Sequence, residues 1–166
     1  LEDRGFIMID PGDDIYEVDD IADSVTESAN EGLDTVQSSV SYVLGENLEN
    51  LTLTGNFDTN ATGNSLNNVI TGNSGNNRLD GGLGADVMTG GDGNDVYVLD
   101  NAGDQVVELA NGGIDTVEVG TSYSAGNNIE NIHLTGTSNI DAIGDGGDNE
   151  LIGNSGNNRL DGGAGD

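Results

Sequence analysis

Aspartate and asparagine recur in this chain a fixed distance behind glycine, and that pattern suits one chemistry, the gathering of hard oxygen ligands around a cation. From Gly63, four nine-residue units follow in a single frame: GNSLNNVIT, GNSGNNRLD, GGLGADVMT and GGDGNDVYV. In the last two, glycine fills positions one, two and four, as Gly81, Gly82 and Gly84 and then Gly90, Gly91 and Gly93. Position six carries Asn68, Asn77, Asp86 and Asp95 in turn. The frame continues into LDNAGDQVV, with Asp104 at position six. After a two-residue insertion, ANGGIDTVE places Asp115 there. Glycine admits backbone conformations closed to residues with a Cβ, so carbonyl oxygens can converge while the aspartate adds a carboxylate. Oxygen-only donors on an adaptable backbone favour calcium over zinc or copper. Several Ca2+ ions are therefore expected.

Such turns need strands to hold them. Positions seven to nine read as a short strand with a large apolar residue at position eight turned inward: Ile70, Leu79, Met88, Tyr97, Val106 and Val117. A longer repeat encloses the short one. GNSGNNRLDGG begins at Gly72 and again at Gly153, 81 residues later, with no gap. Asp14 aligns with Asp95, and Asp34-Thr35-Val36 aligns with Asp115-Thr116-Val117. Self-similarity at long period is the signature of a solenoid. The expected organisation is a first repeat over 1–81, with a degenerate start and calcium turns from about residue 63, and a truncated second repeat over 82–166. The two form one continuous solenoid or one interrupted at 119–125. Nine nonapeptides make one long repeat; at two per coil, the number that the family resemblance given below implies, that is four and a half coils, which would put equivalent turns of the two copies on opposite edges. Leu1-Glu2 carries no weight in this reading. The GGAGD ending at Asp166 reads as a cut repeat.

Composition agrees. The chain has 31 acids, 3 bases and a formal net charge of -28. Such a charge repels nucleic acid and anionic membrane surfaces. Apolar residues are 33% and aromatics 4%. Low hydrophobicity with high charge reads as disorder unless something else stabilises the fold. One large apolar residue per nonapeptide buries too little to offset the ordering of nine residues. Stacked carboxylates at 4 Å repel by ~1 kcal/mol in water and ~4 kcal/mol at intermediate dielectric. A divalent cation reverses the sign of that contribution. There is no Cys, hence no disulfide or thiolate chemistry, and no apolar run long enough to span a membrane.

The stretch 63–98 resembles the RTX (repeats-in-toxin) nonapeptide arrays of secreted bacterial toxins, proteases, lipases and epimerases. The resemblance implies an all-β fold, a right-handed parallel β-roll or β-solenoid with two nonapeptides per coil and calcium bound in Gly/Asp turns. It implies ions between turns eighteen residues apart on one edge, held by position-six side chains and turn carbonyls. One edge would stack Asn68, Asp86 and Asp104, and the other Asn77, Asp95 and Asp115. Asn at position six offers only a neutral oxygen, so those turns would bind weakly or start the stack. Asn149 and Asn158 are the corresponding positions near the end and face an incomplete edge. Asp14 and Asp23 lack partners eighteen residues earlier, since Gly5 stands behind Asp23, so sites should concentrate between Gly63 and Asp115. The resemblance further implies a module of a larger secreted bacterial protein exported by type I secretion and folding on calcium outside the cell. Its partners would be calcium and the parent's other domains.

Catalysis finds little footing. There is no Lys and no Cys, and His133 stands alone between Ile132 and Leu134 as an outward strand residue. GNSG is not the G-x-S-x-G elbow. Arg78 and Arg159 occupy equivalent strand positions, placed to neutralise local acid density. The competing expectation is a carbohydrate-binding or enzymatic β-solenoid, epimerase- or lyase-like, with calcium as a structural ion. Clustered aromatics and acids on one outer face would mark it.

Overall fold

A computed structural model describes the backbone of Phe6–Ile7 and residues 11–165. Leu1, Glu2, Gly5 and Asp166, which entered the expectations above, lie outside the described residues. Among those described there is no helix. The chain is a succession of short strands joined by turns, and every strand pairing is parallel.

Successive strands alternate between two faces. On one face β2 (Ile15–Val18), β4 (Thr35–Ser38), β6 (Asn50–Leu53), β8 (Val69–Thr71), β10 (Val87–Thr89) and β12 (Gln105–Val107) are hydrogen-bonded in that order. On the other run β5 (Tyr42–Val43), β7 (Ala61–Thr62), β9 (Arg78–Asp80), β11 (Val96–Leu99), β13 (Thr116–Val119), β15 (Asn131–Leu134) and β17 (Glu150–Ile152). Two shorter sheets complete the faces: β1 (Phe6–Ile7) with β3 (Ser24–Val25), and β14 (Tyr123–Ser124) with β16 (Ala142–Ile143) and β18 (Leu160–Asp161). This is a parallel β-solenoid of two strands per coil.

The frame read from sequence sets the core. Ile70 pairs in register with Met88 and Met88 with Val106; Leu79 pairs with Tyr97 and Tyr97 with Val117. All are buried except Val106, which is partly so. The column extends beyond the nonapeptides through Tyr16, Val36 and Leu51 on one face and Ile132 on the other. Alternation is clean: β4, β6, β11, β13 and β15 each bury every second side chain, as a half-buried strand must. His133 faces outward opposite Glu118. Arg78 pairs with Glu118 at 2.8 Å and Arg159 with Asp161 at 2.6 Å, both on the exposed surface, where such pairs contribute about 0–1 kcal/mol.

Coil length is not constant at eighteen. Within the nonapeptide array the register is eighteen residues (Val69 to Val87, Arg78 to Val96), but Val96 pairs with Thr116 and Thr116 with Asn131. The insertion lengthens one coil, and the irregular segment at 119–125 contracts the next. The first copy repeats this, pairing Ile15 with Thr35 and Thr35 with Asn50. The irregular segment interrupts one face alone. β13 pairs with β15 without a gap, whereas β12 and β14 do not pair. The equivalent gap between β3 and β5 lies on the other face, where Tyr42 hydroxyl accepts the Val25 N–H at 3.2 Å. Strands 81 residues apart thus fall in opposite faces, as the half-coil arithmetic requires: β4 and β13, β6 and β15, β8 and β17.

Candidate metal centre

Each edge of the solenoid carries a ladder in which a side-chain oxygen accepts the backbone N–H of the residue one coil earlier. Along one edge Asn68 N–H donates to Asp86 Oδ1 at 2.7 Å and Asp86 N–H to Asp104 Oδ1 at 3.1 Å. Along the other Asn77 N–H donates to Asp95 Oδ1 and Asp95 N–H to Asp115 Oδ1, both at 2.8 Å. The six residues expected to stack on these edges are therefore brought together as two columns.

The Asp and Asn rungs differ in what is left over. Asp86 and Asp95 are 0% and 1% exposed, and the Oδ2 atom of each is buried with no hydrogen-bond partner. Burial pushes both carboxyls up to about 6, with the Asp104 and Asp115 carboxylates adding to the shift. An unpaired buried carboxylate oxygen is costly, and a cation is what such an atom fits. The surrounding backbone is shaped to match. Gly82, Gly84, Gly91 and Gly93 hold φ of 76°, 134°, 105° and 117°, conformations that side chains other than glycine's rarely adopt. Gly81 and Gly90 leave the space that a Cβ would take from Asp86 Oδ2 and Asp95 Oδ2. All six glycines marked in the sequence thus shape the two turns. The residues present fit calcium, which would draw on Asp86, Asp95 and Asp115 with turn carbonyls.

The Asn rungs satisfy themselves. Asn68 Oδ1 accepts Asn64 N–H and Asn77 Oδ1 accepts Asn73 N–H, both at 2.8 Å. Their amide nitrogens donate to backbone carbonyls one coil back, Asn68 to Leu48 at 3.0 Å and Asn77 to Thr59 at 2.8 Å. Position two joins in, with Asn64 donating to the carbonyls of Gly45 and Leu48, both at 2.7 Å. Asn149 and Asn158 repeat the scheme, donating to Ile129 and Ile140. An amide here occupies carbonyls that a cation would otherwise gather. Asp104 is likewise engaged, its Oδ2 accepting the N–H groups of Asp100 and Asn101.

The sequence reading missed part of the ladder. Asp34 accepts the Asp14 N–H at 3.0 Å, Glu49 the Asp34 N–H at 2.9 Å, and Glu130 the Asp115 N–H at 2.8 Å. Asp14 thus has a partner, twenty residues on across the insertion, and the Oδ2 atoms of both Asp14 and Asp34 are buried without one. The 81-residue alignment of Asp34 with Asp115 was the available signal. Glu108 was also missed. It stands beside Asp95 and Asp115, and burial pushes its carboxyl up to about 7.

Comparison with known proteins agrees with this geometry. The profile of the RTX calcium-binding nonapeptide repeat matches residues 62–97 and 143–166, in four copies. Two relatives from Rhizobium meliloti (strain 1021) are similar over part of their length. The endo-1,3-1,4-beta-glycanase EglC is 43% identical over 61 residues, 37% of this chain and 13% of that protein. The endo-1,3-1,4-beta-glycanase ExsH is 44% identical over 59 residues, 36% of this chain and 12% of that protein. No solved structure matches the chain. The first matched stretch holds Asn68, Asn77, Asp86 and Asp95 with their glycines, and the chain thus carries, over residues 62–97 and 143–166, segments that match the RTX calcium-binding nonapeptide repeat, on a parallel β-solenoid.

Proposed function

We propose that the chain is a calcium-responsive structural module of a larger secreted bacterial protein, unfolded where calcium is scarce and folded outside the cell. The observation that carries this reading is the pair of buried, unpartnered Oδ2 atoms of Asp86 and Asp95 inside glycine turns. Without a cation these rungs place desolvated charge in a thin core, and with one they become its ligands. Asp86, Asp95 and Asp115 serve as carboxylate ligands. Gly81, Gly82, Gly84, Gly90, Gly91 and Gly93 form the turns, and Asp104 closes one column. Asn68, Asn77, Asn149 and Asn158 act as metal-free rungs that start or end a stack. Coils that each template the next make folding cooperative.

The module is not itself an enzyme in this reading. Among the described side chains Phe57 is the exposed aromatic ring, while Tyr16 and Tyr97 are buried and Tyr42 and Tyr123 half-buried. Among the described residues no aromatic platform for a sugar forms. The matched stretch is a small share of each relative, which supports a module attached to a protein whose activity lies elsewhere. Among the described residues no helix is long and apolar enough to cross a membrane, and the charge of -28 disfavours nucleic acid as a partner. Circular dichroism tests the proposal. The chain should be largely disordered in chelator and gain β signal in calcium, with affinity in the extracellular range of ~10⁻⁴–10⁻³ M. Equal β content in chelator would sink it.

A further inference from the structure

The two-residue insertion that breaks the nonapeptide frame is Glu108-Leu109. It follows β12 and enters the edge where Asp95 and Asp115 stack. One carboxylate oxygen from each of Asp95, Glu108 and Asp115 lies within 4.8 Å of the other two. Two oxygens bound to one calcium at 2.3–2.6 Å are at most about 5 Å apart, so the three can share a single ion. A second observation points the same way. Asp95 is 1% exposed, its Oδ1 is taken by Asn77 N–H, and its Oδ2 is buried without a partner. Glu108 is held in place from both sides, Oε1 accepting the Tyr97 hydroxyl and Oε2 the Leu109 N–H at 3.0 Å. A Cβ at Gly112 would lie 2.8 Å from the Gly91 carbonyl oxygen and 2.9 Å from Glu108 Oε2. A turn carbonyl therefore borders the same space.

We propose that Asp95, Glu108 and Asp115 form a divalent-cation site of a separate kind, in which the inserted glutamate closes two turns twenty rather than eighteen residues apart. It rests on the calcium reading above and adds a ligand absent from the nonapeptide pattern. The constellation belongs to the 81-residue repeat. Glu27-Ser28 is the insertion of the first copy, Tyr16 hydroxyl donates to Glu27, and Asp14 N–H donates to Asp34. Among the described residues the approach within 4.8 Å is found in the second copy, which is the tighter of the two.

Tyr97 supplies a readout. Terbium(III) shares the oxygen preference of calcium and emits when excited through a nearby tyrosine; the chain has 4 Tyr and no Trp. On the full chain, Tyr97→Phe keeps every carboxylate. At saturating terbium its tyrosine-sensitised emission should fall below that of the wild-type chain, because the phenol beside Glu108 is gone. Glu108→Gln can still accept the Tyr97 hydroxyl. In calcium calorimetry it should lose one site or weaken it by at least ~10–100-fold. A wild-type chain that binds no calcium overturns the wider reading. Wild-type binding with Glu108→Gln unchanged in number and affinity overturns this site alone. Should Glu108→Gln fail to fold, Tyr97→Phe decides, because undiminished emission means no ion sits beside Tyr97.

Discussion

Asn68 and Asp86 sit one coil apart in the same column, differ by one side-chain atom, and have opposite needs. The Asn68 amide finds two backbone carbonyls, whereas Asp86 keeps one oxygen buried and unsatisfied. Asp86→Asn should therefore abolish one calcium site yet leave the metal-free chain no less stable, since the Asn68 N–H keeps its acceptor. Asp86→Ala also removes that acceptor and should cost a further ~1–3 kcal/mol in calcium; urea titrations with and without calcium compare the two. Protons act on the same atoms. Burial holds Asp86 and Asp95 at about 6 and Glu108 at about 7, above the ordinary values of ~3.9 and ~4.3. The folded chain thus binds more protons than the unfolded one across this window. That stability is present below about pH 4 and is lost as pH rises through about 6–7. In calcium-stripped buffer β signal should be stronger near pH 5 than at pH 7.5, and a signal that is flat or grows with pH refutes the argument. The position-six residues and their glycines were legible because one fixed spacing serves both turn and ligand. Glu49, Glu108 and Glu130 were not. A glutamate reaches the column from outside the nonapeptide frame by its extra methylene, so only the 81-residue recurrence of Glu27 with Glu108 and of Glu49 with Glu130 marks it.

Strands and inward residues were legible for the same reason as the turns, since a nine-residue period with one large apolar residue leaves a single way to face the core. Leu79 shows what that position is worth. It is fully buried, in register between Ala61 and Tyr97. Leu79→Ala should destabilise the calcium-loaded chain by about 2–5 kcal/mol. Leu83→Ala, at a turn residue 66% exposed, should stay within about 0.5 kcal/mol. Thermal melts in calcium check the contrast, and similar losses at both sites would mean the period-nine frame misassigns the core. The twenty-residue coil was legible in the two-residue insertion, but the fifteen-residue coil after it was not, because a parallel ladder fixes register only along the strand and the turn absorbs missing residues. Asparagine does that absorbing. Asn30 and Asn111 after the insertion, and Asn47 and Asn128 in the turns before β6 and β15, hold φ of 64–69° at positions 81 residues apart, a conformation that asparagine tolerates.

At the scale of the whole molecule, four and a half coils per repeat carry one consequence that neither a residue nor a strand shows. Because equivalent turns alternate edges, the Asp14–Asp34 pair and the Asp95–Asp115 pair load opposite sides of the solenoid. Acid density is thus shared between the two edges, while the net charge of -28 stays on a slender body. Without cations that charge favours expansion. An unfolded chain of this length has a radius of gyration of ~43 Å by the usual scaling. Nine strands stacked on a face at about 4.8 Å make a rod ~43 Å long, whose radius of gyration is under ~20 Å for a cross-section two sheets thick. Small-angle scattering should therefore record a fall of about twofold as calcium is added. Monovalent salt screens the repulsion but supplies no ligand bonds, so it should compact the chain without producing the rod or the β signal. If sodium chloride alone brought the chain to the same radius and spectrum, the fold would need only screening, and the buried oxygens of Asp86 and Asp95 would have no role as ligands.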